Sequence, residues 1–327
     1  MIGKIGLEEH FAIPDTLNDS RAFFPDSLWN ELKSRLLDIQ ERRIREMDEN
    51  GIEMMILSLN APAVQAIPDP SLANQLAIKA NDFLAEQVAK RPDRFQAFAA
   101  LPMQNPDFAA AELERCVKTM GFKGPLVNGF SQIGDNETLN YYDGDDYRDF
   151  WRVVEALDVP FYLHPRNPLT SQAKIFIGHE WLLGPTWGFG QETAVHALRL
   201  IGSGIFDDCP KLQFILGHMG EGLPFNMWRI DHRNGWMDLP TTYKAKKKIA
   251  DYFKNNFYIT TSGNFHTPAM INAIAEIGVD RVMFSTDWPF ENIDHAANWF
   301  DSSEISDQDK VKIGRTNAKT LFKLNVD

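Results

Sequence analysis

The residues best equipped for chemistry stand close to the start of the chain, in Glu8-Glu9-His10. Glu8 and His10 are two apart, so on extended backbone their side chains point to the same face. A carboxylate oxygen and an imidazole nitrogen placed that way can grip one divalent cation at ~2.0–2.2 Å. Three further stretches share the character: Leu163-His164-Pro165, Gly217-His218-Met219-Gly220-Glu221 and Ser285-Thr286-Asp287-Trp288-Pro289. In each, an apolar run ends in a residue that can ligate a metal or carry a proton. Any one of them alone is as well explained by a core or loop position, and Glu-x-His recurs by chance on many strands. Their common placement at the ends of apolar runs favours a site.

The elements that would position these residues follow from periodicity. Short apolar runs at 2–7, 52–59, 95–103, 122–127, 159–163, 212–216, 257–260 and 282–285 read as strands. Helix-like stretches alternate with them, at 37–50 before Gly51, from Ser71 as cap to residue 90, and from Pro106 to Gly121. Others lie at 145–157, 192–205, 225–233, 246–255 and 267–277. Residues 11–28 read as a loop, and 166–191 as an irregular, aromatic-rich insertion. Eight strands alternating with helices predict an α/β fold with parallel strands, closed as a (β/α)8 TIM barrel with loop insertions, one domain over 1–327. A doubly wound sheet is the competitor, but no Gly-x-Gly-x-x-Gly follows the first strand. In a barrel, the C-terminal ends of the strands form the rim that carries active sites. Glu8, His10, His164, His218 and Asp287 all fall there.

The formal net charge of −12 over 327 residues argues against nucleic acid or an anionic membrane surface as partner. No apolar stretch approaches the ~18 residues of a membrane span. The basic run at 244–248 reads as a solvated face. Cys116 and Cys209 show no metal-binding or disulfide spacing, and no signal peptide is visible. A cytoplasmic location is expected. His179, His196, His232, His266 and His295 lie within or beside helical or irregular stretches and read as structural.

The order Glu-x-His, strand-five His, strand-six His and strand-eight Asp resembles the amidohydrolase superfamily. It looks most similar to the branch of metal-dependent, non-oxidative decarboxylases that includes aminocarboxymuconate-semialdehyde and dihydroxybenzoate decarboxylases. Two departures from the commoner pattern stand out. Glu8 replaces a histidine, and Val127-Asn128 occupies the strand-four end where a bridging lysine would stand. Both favour one metal over two, and an anionic ligand suits Mn²⁺ somewhat better than Zn²⁺.

The resemblance implies one divalent ion, Mn²⁺ or Zn²⁺, held by Glu8, His10, His164 and Asp287, with no organic cofactor. It implies reversible decarboxylation of an ortho-hydroxybenzoate, 2,6-dihydroxybenzoate ahead of the 2,3-isomer. Asp287 would deliver a proton to the ring, which needs its ligation to be weak or to shift when substrate arrives. His218, with Glu221 orienting its ring, is the alternative donor. Phe23, Asn128, Phe189 and Phe290 are offered as pocket walls, and Arg229 as partner for an acidic substrate group. The family also implies a homo-oligomer, dimer or tetramer, with 175–189 as lid, wall or subunit contact. A metal-dependent lactone or amide hydrolase on the same scaffold, and a non-catalytic binding barrel, are the rival readings.

Overall fold

The computed structural model describes residues 1–21, 24–236 and 243–326. Eight strands run parallel: β1 (Lys4–Phe11), β2 (Ile52–Leu59), β3 (Phe95–Ala97), β4 (Leu126–Asn128), β5 (Phe161–His164), β6 (Phe214–Leu216), β7 (Phe257–Thr260) and β8 (Val282–Met283). Ladders join β1-β2-β3 and, separately, β4-β5-β6-β7-β8 in chain order. A parallel bridge from Ala99 to Pro125 connects the two arcs. At the other seam the Ser285 hydroxyl accepts from Leu7 N (3.3 Å) and Glu8 N (2.7 Å), and His10 N donates to Trp288 O (2.6 Å). The fold is the expected (β/α)8 barrel.

Two buried layers hold it. Ile5, Leu7, Met54, Ile56, Phe98, Leu126, Tyr162, Ile215 and Met283 form the interior cluster, which Phe322 and Leu324 of the C-terminal segment join. A larger cluster, including Met55, Leu57, Leu163, Leu216, Ile259 and Phe284, packs with helix residues such as Ala77, Leu113 and Trp151. Buried in this way, most strands read as near-continuous apolar runs, whereas β1 carries Lys4 and Glu8-Glu9-His10.

Several boundaries differ from the sequence expectation. β1 continues through Glu8, Glu9 and His10 to Phe11 rather than ending at Leu7, and its register against β2 shifts between Gly6 and Glu9. Gly6 pairs with Met55 and Glu9 with Leu57, so β1 carries one extra residue, a bulge. One extra residue reverses which face a side chain takes. Ile5 and Leu7 therefore join the interior, and beyond the bulge Glu8 and His10 do so instead of Glu9. The helix Asp26–Leu37, which buries Trp29, Leu32 and Leu36, begins inside the expected loop 11–28 and runs on to the expected helix start at 37. The next helix is Arg42–Glu49, shorter than 37–50. Asp69 rather than Ser71 caps the helix Pro70–Lys90, accepting from Ser71 N and Leu72 N. Proline at the first helical position places the cap one residue before it.

Candidate active site

Glu8 and His10 project from β1, His164 from the last position of β5, and Asp287 from the loop after β8. Each offers one ligand atom, and these four atoms lie within 4.8 Å of one another. Glu8 Oε1 is 3.2 Å from His164 Nε2 and 4.0 Å from His10 Nε2, and His10 Nε2 is 3.4 Å from Asp287 Oδ1. His218 closes the group, its Nε2 3.3 Å from Glu8 Oε1 and 3.8 Å from Asp287 Oδ2.

The donor set fits a metal on a specific observation. Glu8 Oε1 and His10 Nε2 are fully buried and neither makes a hydrogen bond of acceptable geometry. Buried polar atoms are normally paired, so bare atoms converging on one point mark a place for a cation. The other atom of each group is occupied. Glu8 Oε2 accepts from the hydroxyls of Tyr162 and Ser262, the latter at 2.7 Å. His10 Nδ1 meets Ser58 Oγ at 3.1 Å. Partners of this kind fix ring and carboxylate orientation behind a metal ligand.

Electrostatics agree with the geometry. Burial would raise the Glu8 carboxyl, but His218, His164 and His10 together hold it well below the usual carboxylate range. Burial pushes His164 down, keeping its imidazole neutral and able to ligate. For His218, burial is outweighed by Glu221 and Glu8, which lift it well above the ordinary imidazole value. Burial raises Glu221 against the pull of His218, and their side chains meet at 2.6 Å between Nδ1 and Oε1.

That pair is set by unusual backbone. His218 (φ 50°), Met219 (57°), Gly220 (78°), Glu221 (55°) and Gly222 (73°) form a left-handed turn directly after β6. Non-glycine residues there cost about 1–2 kcal/mol each, so packing must hold the turn in place. At Gly217 a Cβ would lie 2.5 Å from Glu8 Oε2, so the Glu8 carboxylate occupies space that only glycine leaves open.

A slot of about 60 Å³ opens beside these groups, lined by Ser20, Phe24, Ala61, His164, Pro185, Phe189, His218, Asp287 and Phe290. The Phe290 ring lies 5.4 Å from His10 and stacks on Phe24 at 5.9 Å. A wider cavity of about 560 Å³, reached past Phe189 and Pro185, also touches His218, Glu221 and Asp287. Of the expected walls, Phe189 and Phe290 line the slot, whereas Phe23 lies outside the described residues. Asn128 is buried, with its amide turned to the carbonyls of Asn60 (3.2 Å) and Pro62 (3.5 Å), and does not line the slot. Arg229 is exposed on the helix Leu223–Asn234 and lines neither cavity. Sequence reasoning missed Phe24, Tyr162, Ser262, Ser58 and Glu9. The only available signal was the unbroken run of acidic and histidine residues at 8–10.

The amidohydrolase family matches residues 19–324, and the chain belongs to that family. Within it, the chain is 68% identical over 325 residues to a gamma-resorcylate decarboxylase of Polaromonas sp. (strain JS666), covering 99% of this chain and 100% of that protein. A gamma-resorcylate decarboxylase of Rhizobium sp. is 66% identical, with 99% of each chain covered. Among solved structures, a 2,6-dihydroxybenzoate decarboxylase complexed with 2,6-dihydroxybenzoate superposes with a TM-score of 0.97 at 66% identity, covering 99% of this chain and 100% of that one. A dihydroxybenzoic acid decarboxylase from Polaromonas sp. JS666, with bound manganese and the inhibitor 2-nitroresorcinol, gives 0.97 at 67% identity, covering 100% and 98%.

Proposed function

We propose that this protein is a metal-dependent, non-oxidative decarboxylase that converts 2,6-dihydroxybenzoate to resorcinol and carbon dioxide, reversibly, within a single barrel domain. The observation that carries the reading is the convergence of two bare, buried ligand atoms, Glu8 Oε1 and His10 Nε2, beside an aromatic-walled slot. Close relatives with this activity, one of them holding manganese, support it. Glu8, His10, His164 and Asp287 would hold the ion, Mn²⁺ or Zn²⁺, which supplies Lewis-acid stabilisation of charge on the substrate's carboxylate and ortho oxygen and a template for its ring.

The chain's own groups do the rest. Phe24 and Phe290 confine a flat ring, and Phe189 closes the slot toward the wider cavity. Direct loss of carbon dioxide would leave an aryl carbanion, so the ring carbon bearing the carboxylate must be protonated first. Asp287, partly open to the slot, delivers that proton. The new C–H bond interrupts aromaticity, with the ring's electron deficit carried by the ortho oxygens. Cleavage of the carbon–carboxylate bond then returns its electron pair to the ring as carbon dioxide leaves. Net consumption is one proton per turnover. His218, cationic through its contact with Glu221, stands 3.8 Å from Asp287 Oδ2 and can return the proton.

Oligomerisation belongs to the same reading. Trp181 and Trp187 are 68% and 61% exposed within 175–189, Trp187 lining the wider cavity, and Phe225 and Trp228 are 83% and 70% exposed on the helix that carries Arg229. Exposed apolar surface of that extent suits a contact between copies of the chain, as a dimer or tetramer. Among the described residues no helix is long and apolar enough to cross a membrane. Both cysteines are buried and unpaired, which suits a reducing cytoplasm.

The test is turnover in heavy water with the manganese-loaded protein. Resorcinol carrying one deuterium at the former carboxylate position, with carbon dioxide released, is expected. Asp287→Asn should keep most of its metal yet lose turnover. Hydrolysis of a lactone or amide in place of ring deuteration, or near-normal turnover by D287N, would overturn the reading or Asp287's part in it.

A further inference from the structure

The residues that would share the ion come from opposite sides of one seam. Glu8 and His10 stand on β1, and Asp287 follows β8, whose ladder residues Val282 and Met283 pair with β7. Beside the Ser285 hydroxyl and the His10–Trp288 backbone bond, what spans that seam above the ladder is the side chain of Glu9, which the reaction itself does not use. Glu9 is fully buried. Its Oε1 accepts from Thr286 N (2.9 Å) and Ser285 Oγ (3.1 Å). Its Oε2 accepts from Thr286 Oγ1 and from Trp288 N (3.3 Å). The backbone amides immediately before and after Asp287 are thus fastened by one carboxylate. Asp287 itself has φ 65°, left-handed backbone that needs such support.

The surroundings are shaped to admit this carboxylate. A Cβ on Gly6 would stand 2.4 Å from Glu9 Oε1, so the strand is cut back to backbone where the side chain folds over it. The bulge in β1 turns Glu9 away from the interior that Glu8 and His10 face. Arg43 covers the clasp from outside, donating to His10 O at 2.6 Å with its guanidinium 4.1 Å over the Trp288 ring.

We propose that Glu9 is a positioning residue: it sets the place of Asp287 relative to Glu8 and His10 by holding Thr286 and Trp288, and thereby tunes metal affinity and proton delivery. The inference rests on the reading of Asp287 given above. A purely structural Glu9 would alter stability alone. A positioning Glu9 alters the metal site in a protein that is still folded.

The test uses Glu9→Gln, which keeps size and one acceptor but turns an amide NH₂ toward the Thr286 or Trp288 donors. Chelated protein is titrated with Mn²⁺ alone, free and bound ion being followed by electron paramagnetic resonance. Thermal melting and kcat and KM at saturating Mn²⁺ are recorded in parallel. With circular dichroism unchanged, E9Q is expected to bind Mn²⁺ about 10–100-fold more weakly. Its bound-ion spectrum should be altered, and kcat should fall far more than KM rises. If E9Q does not fold, Thr286→Val, which removes one hydroxyl donor, is read in the same way, and Thr286→Ser should restore the parent values. An unchanged Mn²⁺ affinity and spectrum in the folded variant overturns the proposal, whatever the melting temperature. A parent that binds Mn²⁺ but does not decarboxylate defeats the functional reading and leaves the Mn²⁺ titrations to judge Glu9.

Discussion

The two oxygens of Glu8 have unlike surroundings, and the site depends on the difference. Oε2 takes the hydroxyls of Tyr162 and Ser262, while Oε1 is left without a hydrogen bond among the histidines. Tyr162 is itself held by Thr260 Oγ1 at 2.7 Å. Removing its hydroxyl frees the carboxylate to rotate and spoils the donor set. Tyr162→Phe should therefore fold normally but bind Mn²⁺ about tenfold more weakly, measurable by titration of the chelated protein; parent affinity would show the hydroxyl to be dispensable. The four residues of the proposed metal site could be read from the sequence because acids and histidines at the ends of apolar runs are chemically conspicuous. Tyr162, Ser58 and Ser262 could not, being ordinary residues in or just beyond strands whose inward direction depends on barrel closure. Glu9 was hidden for a related reason. Strict alternation from Ile5 and Leu7 would send Glu9 inward, and only the bulge reverses it.

At the scale of elements, the helix Gly188–Gly202 carries an unusual passenger. His196 is fully buried, its ring 4.8 Å from Tyr141 and 5.0 Å from Tyr142, with neither nitrogen hydrogen-bonded. Burial, with Arg199 adding to it, depresses its pKa from 6.5 to about 3. The folded chain thus keeps the ring neutral where the unfolded chain would protonate it. The stability this contributes is complete above pH 6.5 and is lost as the pH falls toward 3. The slope approaches about 1.4 kcal/mol per pH unit. His196→Phe should lose less stability than the parent between pH 7 and pH 5, by about 2 kcal/mol, in denaturant unfolding at both pH values. Equal losses would rule out His196 as the source. Other elements were partly legible. The helix Thr267–Ile277 falls where periodicity puts it. The helix Asp26–Leu37 was masked by the Phe-Phe-Pro preceding it, although Trp29, Leu32 and Leu36 carry helical spacing.

For the molecule as a whole, strand order and the rim followed from the alternation of apolar runs with helices. The closing seam did not, because it rests on particular side chains and one backbone bond from His10 to Trp288 rather than on a repeating pattern. Glu8, His10, His164, His218 and Asp287 come together from four sides, and a cation that binds among them only in the folded chain would stabilise it by mass action. Saturating Mn²⁺ should raise the melting temperature over chelated protein, by the equivalent of about 2.7 kcal/mol at a hundredfold excess over Kd. An unshifted melt would mean that the cluster binds no ion in the folded state. The left-handed turn from His218 to Gly222 has one more consequence. It is an uphill conformation kept only by its neighbours, including Ile259, which would stand 2.8 Å from a Cβ on Gly220. Where those neighbours slacken, the turn can relax while the barrel around it persists. A sample can then fall catalytically silent with its circular dichroism intact, so that shelf life and melting point part company.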